Sequence, residues 1–215
     1  VSLIRAVFQA LRVINEFSPD AVIGAGGYGA FPAIFAGFLL RVPCYLLEQN
    51  VLPGRTNRIL SVFAVKVFSQ WESSKKHLLF QDKFAFTGNP LRSEMTRESR
   101  IIALGKLGME NNRTVLLVLG GSQGAHFLNK ILADNADMLK KYSDQIGVIH
   151  LTGENDFEAV KEAYGKNGIM NVVMKFCDDM PAVYSAADIA LTRAGGTTIA
   201  ELAHFGIPAI AVPYP

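Results

Sequence analysis

The sequence predicts an α/β protein made of two parallel-sheet lobes. Three observations carry that expectation. Apolar strand-like runs alternate with helix-period segments along the whole chain. Three of those runs end in a small-residue loop that opens a helix, at 24–29, 120–125 and 193–198. The strand pattern also starts afresh at Thr114, after a polar stretch from Asn89 to about Arg113. Strands joined by helices imply right-handed crossovers within parallel sheets, and the restart implies two sheets with a cleft between them.

Taken in order, Val1, Ile4, Phe8 and Leu11 recur at helical spacing, and Ser18-Pro19 ends that helix. A short strand at 21–23 leads into the first glycine loop and a helix from about Pro32. A strand at 42–47, a helix at 54–61 and strands at 64–68 and 84–87 follow. The polar stretch holds one weak helix, 98–107, and reads as an interdomain link. The second half opens with a fully apolar strand at 114–119. A helix then carries Leu128, Ile131, Leu132, Ala136 and Leu139 on its inner face. Strands at 147–151, 172–175, 189–191 and 209–212 alternate with helices from Asp156, near 180–186 and at 197–205. The expected division is 1–92 for the first lobe, 93–113 for the link and 114–215 for the second lobe. The pattern begins inside a helix and stops on a strand run, so both lobes are expected to be incomplete.

Half of the 215 residues are hydrophobic, enough to bury a sizeable core. A formal charge of +2 gives no global case for nucleic acid. Cys44 and Cys177 lie far apart, without metal or redox spacing, and read as reduced structural thiols. The longest apolar stretch, 30–40, is interrupted by Pro32 and Gly37 and falls short of the roughly 18 residues of a membrane span.

The glycine loops carry the chemistry. Small residues admit a ligand close to the backbone, and the open N–H groups of a helix start favour phosphate. The competing reading of each loop is a tight turn that needs positive φ. Two such loops at strand ends of the second sheet favour a diphosphate site. The first loop, Gly24-Ala25-Gly26-Gly27-Tyr28-Gly29, matches a dinucleotide fingerprint, with Glu48 nineteen residues after Gly29. A nicotinamide enzyme is disfavoured because the better phosphate loops lie elsewhere. Glu201, one turn into the last helix, can accept from both ribose hydroxyls or stand as a solvated helix-face residue. Arg92 either reaches the cleft or is an ordinary surface arginine. Asp178-Asp179 is read as a helix N-cap rather than a metal pair. His77, His126, His150 and His204 share no motif.

An ordered set of segments resembles the MurG family. It runs through Gly26-Gly27-Tyr28, then 48–58 (Glu-Gln-Asn-Val-Leu-Pro-Gly-Arg-Thr-Asn-Arg), then Gly88-Asn89-Pro90-Leu91-Arg92. It continues in 117–125 with Leu128-Asn129, in 176–180, and in 193–202. Members of that family transfer N-acetylglucosamine from UDP-N-acetylglucosamine to undecaprenyl-pyrophosphoryl-N-acetylmuramoyl-pentapeptide. The resemblance implies a GT-B fold of two Rossmann-like lobes, an inverting reaction without cofactor or metal, and a peripheral position on the cytoplasmic face of the bacterial membrane.

By the same resemblance, Ser122 and the backbone of Gly196, Thr197 and Thr198 face the diphosphate, with Ile199 and Ala200 beside them. Glu201 takes the ribose. Cys177 meets the uracil edge through its backbone, next to Phe176. Arg92 lies near the nucleotide and Asn50 near the transferred sugar. Gly26, Gly27 and Tyr28 are candidates for the acceptor pyrophosphate.

Some of the family's features are not found in the chain. These are its amino-terminal glycine-rich motif, with the histidine proposed as base, and its trailing paired glutamines. Leu47 stands where His is frequent, and Cys177 replaces an aliphatic residue. The 215 residues are therefore expected to be inactive alone. The rival readings are another UDP-sugar enzyme of the same fold, including an epimerase or a lipid glycosyltransferase, and a non-catalytic nucleotide-sugar-binding subunit. The first helix has two readings as well. Val1, Ile4, Val7, Phe8 and Leu11 with Arg5 and Arg12 form a membrane-facing surface, or the same stripe packs on the first sheet.

Overall fold

The computed structural model describes residues 2–120 and 125–213. The chain divides into two units, Val1–Pro90 and Leu91–Pro215, each built on its own parallel sheet.

The first unit opens with α1 (Leu3–Phe17), followed by β1 (Val22–Gly24), α2 (Ala30–Leu39), β2 (Cys44–Glu48), α3 (Arg55–Leu60), β3 (Lys66–Ser69) and β4 (Phe84–Phe86). Two 3-10 turns, Glu72–His77 and Gln81–Lys83, connect β3 to β4. The strand order is β1-β2-β3-β4, so each crossover steps the same way. Right-handed connections that keep one direction set their helices on one face. The buried side chains follow that rule: Cys44, Leu46 and Val67 join Ile34, Leu60, Ala64 and Leu78 in a single core. Gly37 permits the close approach of α2, since a Cβ there would lie 2.8 Å from Cys44 Sγ. Alternate strand residues point the other way. On that face Ile23 is 64% exposed, and Tyr45, Leu47 and Phe68 are only partly covered.

The α1 helix ends at Ser18, which takes a left-handed conformation just before Pro19. It packs along α2 and buries Ile14. Ile4 and Phe8 remain 71% and 68% exposed, while Val7 and Leu11 are half-buried. The expected stripe is therefore split between packing and solvent; Val1 lies outside the described residues.

In the second unit α4 (Arg100–Leu107) precedes β5 (Thr114–Leu119), α5 (His126–Asp134), α6 (Ala136–Lys140), β6 (Ile146–Leu151), α7 (Phe157–Lys166) and β7 (Met170–Met174). Then come α8 (Met180–Ala186), β8 (Ile189–Arg193), α9 (Gly196–Phe205) and β9 (Ala209–Val212). The parallel order is β7-β6-β5-β8-β9, so the winding reverses at β5 and both faces acquire helices. Val115, Leu117, Leu119 and Ile149 pack with Leu104, Val183, Tyr184 and Leu202 on one side. Val118 and Val148 pack with Ala136, Val160 and Tyr164 on the other.

Two expectations differ from the structure. The stretch 93–113 is not a free link: it is folded into the second unit, where Met95, Ala103, Leu104 and Met109 are buried. Arg97 Nη2 donates to His204 O at 2.9 Å, and His204 Nε2 lies 2.8 Å from Met95 O. Those inward residues are too widely spaced to announce themselves by period. The single helix expected across 128–139 breaks at Asn135, whose side chain donates to Ile131 O at 2.8 Å.

Candidate functional site

A cavity of about 420 Å³ opens at the carboxyl ends of the second sheet's strands. Leu119 ends β5, Leu151 ends β6, Phe176 and Cys177 follow β7, and Thr198 and Glu201 belong to α9; all border the cavity. The reversal at β5 sends neighbouring crossovers to opposite faces and leaves a crevice at the loop ends, where ligands of such sheets bind.

One wall is the start of α9. Its N-cap, Gly195, is extended and supplies no capping side chain. The first intrahelical bond runs from Ile199 N–H to Gly195 O at 3.0 Å. The N–H groups of Gly196, Thr197 and Thr198 precede it and have no acceptor within the helix. Small residues around them leave room for an anion, and the helix dipole favours one.

Glu201 sits one turn further along, half-buried, and is fixed from behind. The Tyr184 hydroxyl donates to Glu201 Oε2 at 2.6 Å. Tyr184 is 2% exposed and its ring packs on Phe205 at 5.1 Å. Burial, then the adjacent carboxylate, pushes the phenol's pKa far up, so it remains a donor. Arg92 is exposed yet close enough to Tyr184 for its charge to pull the other way. The structure thus gathers Arg92, Phe176, Cys177, Thr198 and Glu201 around one side of this unit. Burial raises the Cys177 thiol's pKa, which keeps it protonated. Asp179 caps α8, accepting from Ala182 N–H at 3.1 Å, and pairs with Lys106 at 3.0 Å. Ser122 lies outside the described residues.

The first unit holds the remaining candidates. Gly26 and Gly27 have φ of +89° and +75°, a conformation that only glycine adopts freely, and Tyr28 is 92% exposed. The fingerprint-like Glu48 does other work. It is 4% exposed; Oε1 accepts from Asn50 N–H at 2.9 Å. Oε2 accepts from Gly54 N–H at 3.0 Å and Asn57 Nδ2 at 2.9 Å. A carboxylate so engaged holds its own loop and is not offered to a ribose. Asn50 is exposed on that loop, and its carbonyl accepts from Ser74 Oγ at 3.1 Å.

Two features escaped the sequence reading. Tyr184 reads as an ordinary apolar position of a short helix, because its partner is 17 residues away. The other is a buried polar chain. His150, fully buried, lies 2.9 Å from both Tyr164 Oη and Asn129 Oδ1. Asn129 Nδ2 donates to Thr152 O at 2.8 Å and Asp156 Oδ2 at 2.7 Å, and Asp156 Oδ1 meets His126 Nδ1 at 2.8 Å. This chain ties α5, which follows the second glycine loop, to β6 and α7. Asn129 in the Leu128-Asn129 pair was the only signal for it.

The sequence profile of the glycosyltransferase family 28 N-terminal domain matches residues 1–69, and that of the glycosyltransferase family 28 C-terminal domain matches 115–215. The UDP-N-acetylglucosamine–N-acetylmuramyl-(pentapeptide) pyrophosphoryl-undecaprenol N-acetylglucosamine transferase of Thermodesulfovibrio yellowstonii is 36% identical over all of this chain and 58% of that protein. Its namesake from Geobacter metallireducens is 38% identical over 96% of this chain and 56% of that protein. The chain thus spans less than three-fifths of the curated relatives it matches. Among solved structures, Acinetobacter baumannii MurG is similar with a TM-score of 0.71 and 30% identity, over 98% of this chain and 57% of that one. The Neisseria meningitidis UDP-GlcNAc 2-epimerase bound to UDP-GlcNAc shares the fold, with a TM-score of 0.66 and 19% identity, over 96% of this chain and 62% of that one.

Proposed function

We propose, from the premise that this chain belongs to glycosyltransferase family 28, that it is a large part of an inverting N-acetylglucosaminyltransferase of the MurG type. The donor is UDP-N-acetylglucosamine and the acceptor is undecaprenyl-pyrophosphoryl-N-acetylmuramoyl-pentapeptide, as in the names of the relatives. The reading rests on one observation above all: Phe176, Cys177, Thr198 and Glu201 converge on a cavity beside the open start of α9. Such a site suits a nucleoside diphosphate. Base, ribose and phosphates would meet, in turn, the 176–177 segment, the Glu201 carboxylate and the N–H groups of 196–198.

In this reading the acceptor hydroxyl attacks the anomeric carbon and UDP departs. The α9 N–H groups and the helix dipole stabilise the charge that grows on the leaving diphosphate. Arg92 adds positive charge near the nucleotide, and Ser122 belongs to the second phosphate loop. In the first unit Asn50 contacts the transferred sugar, and Gly26, Gly27 and Tyr28 receive the acceptor pyrophosphate. Transfer is assigned to the whole protein, which exceeds this chain in every relative compared. None of the described helices is long and apolar enough to cross a membrane. By the family resemblance the lipid acceptor is met at the cytoplasmic face, with exposed Ile4 and Phe8 and the neighbouring Arg5 of α1 offered to the membrane surface.

Calorimetry of the chain with UDP, UDP-N-acetylglucosamine and NAD tests the donor assignment. Both uridine nucleotides should bind and NAD should not. Glu201→Ala should weaken UDP at least about tenfold, since hydrogen bonds to a charged acceptor contribute roughly 1.5–3 kcal/mol each. In the full-length enzyme, turnover of UDP-N-acetylglucosamine should require the lipid acceptor; acceptor-free conversion would identify an epimerase instead.

A further inference from the structure

We infer that Tyr184 is a positioning residue for nucleotide recognition: its buried hydroxyl locks the Glu201 carboxylate in the orientation that receives the ribose hydroxyls. The inference rests on the proposed nucleotide site and deepens it. A glutamate on a helix has three rotatable side-chain bonds and samples many orientations when free. Here that freedom is removed. The Tyr184 hydroxyl donates to Oε2 at 2.6 Å, a short charge-assisted bond. Its origin is rigid: Tyr184 is 2% exposed, lies in the unit's main core, and packs on Phe205.

The direction of the bond is also set. The hydroxyl can donate only to something that accepts, and burial keeps its proton in place. Glu201 Oε2 is the acceptor it meets. Tyr184 occupies Oε2 and not Oε1, and both residues border the cavity. A ribose presenting two adjacent hydroxyls then meets an acceptor already oriented, and the ordering entropy is spent on folding rather than on binding. Tyr184 does not need to touch the nucleotide for this, so it acts through Glu201.

The test uses the 215-residue chain, with UDP and 2′,3′-dideoxy-UDP as paired probes in calorimetry. Tyr184→Phe keeps the ring and its packing and removes only the hydroxyl. It should weaken UDP by about fivefold or more while leaving the dideoxy nucleotide unchanged. Glu201→Ala should erase the preference for UDP over the dideoxy nucleotide, and adding Tyr184→Phe to it should have no further effect. Thermal melting of each variant controls for folding. Equal weakening of both nucleotides by Tyr184→Phe would assign the tyrosine a purely structural role and overturn the inference. So would no weakening of either, while Glu201→Ala still discriminates. If Glu201→Ala leaves the preference intact, the ribose assignment fails and the inference falls with it.

Discussion

Between β1 and β4 every crossover steps in one direction, whereas in the second unit the order reverses at β5. The consequence is visible in the cores. The second sheet has buried residues on both faces, with Leu117 and Val118, adjacent in sequence, each fully buried in a different cluster. The first sheet has one such core, and Ile23, Tyr45, Leu47 and Phe68 on its other face stay partly or largely exposed. A parallel sheet is ordinarily covered on both faces. The same reversal that completes the second core also creates its crevice, so stability and ligand binding have one topological cause there. The first sheet, among the described residues, has no such reversal of strand order.

The largest test of that contrast is to separate the units. Residues 91–215 should unfold cooperatively by circular dichroism. Residues 1–90 should melt without a sharp transition and bind a hydrophobic dye through the uncovered face. Equal cooperativity in the two pieces would break the comparison.

Single substitutions sharpen it. Leu117→Ala in the doubly covered sheet should cost about 2–5 kcal/mol in urea unfolding, because a fully buried leucine leaves a cavity. Acid provides a related effect on the same unit. Burial lowers the pKa of His150 from 6.5 to about 4, with Asp156 opposing in part. The unfolded chain therefore takes up the proton first. Stability is intact above pH 6.5, declines as pH falls from 6.5 towards 4, and this contribution, about 3 kcal/mol, is gone below that. His150→Gln should flatten the pH dependence of urea unfolding across that window. Smallest of all, Ile23→Thr on the open face should change stability by less than about 1 kcal/mol, because little apolar surface is re-exposed.

What the sequence disclosed tracks this difference. β5 was legible residue for residue, since a strand buried on both faces reads as an unbroken apolar run. The motif around 193–202 pointed to Thr198 and Glu201, and the structure brings both to one cavity with Phe176 and Cys177. Tyr184 was not legible, because a hydroxyl aimed at a residue 17 positions away leaves no local pattern. Nor was the packing of 93–113, whose buried residues are scattered among polar ones. Glu48 is the opposite case: its dinucleotide-like spacing was set aside on the sequence, and its oxygens hold Asn50, Gly54 and Asn57 in place.

On the proposed reading the second unit's crevice is a uridine-nucleotide site. Amide chemical shifts of the 215-residue chain, followed during a titration with UDP, test it most directly. Shifts should concentrate at Phe176, Cys177 and the 196–201 stretch, with little change in the first unit. Shifts confined to the loop from Gly24 to Gly29, or a response to NAD in place of UDP, would contradict it.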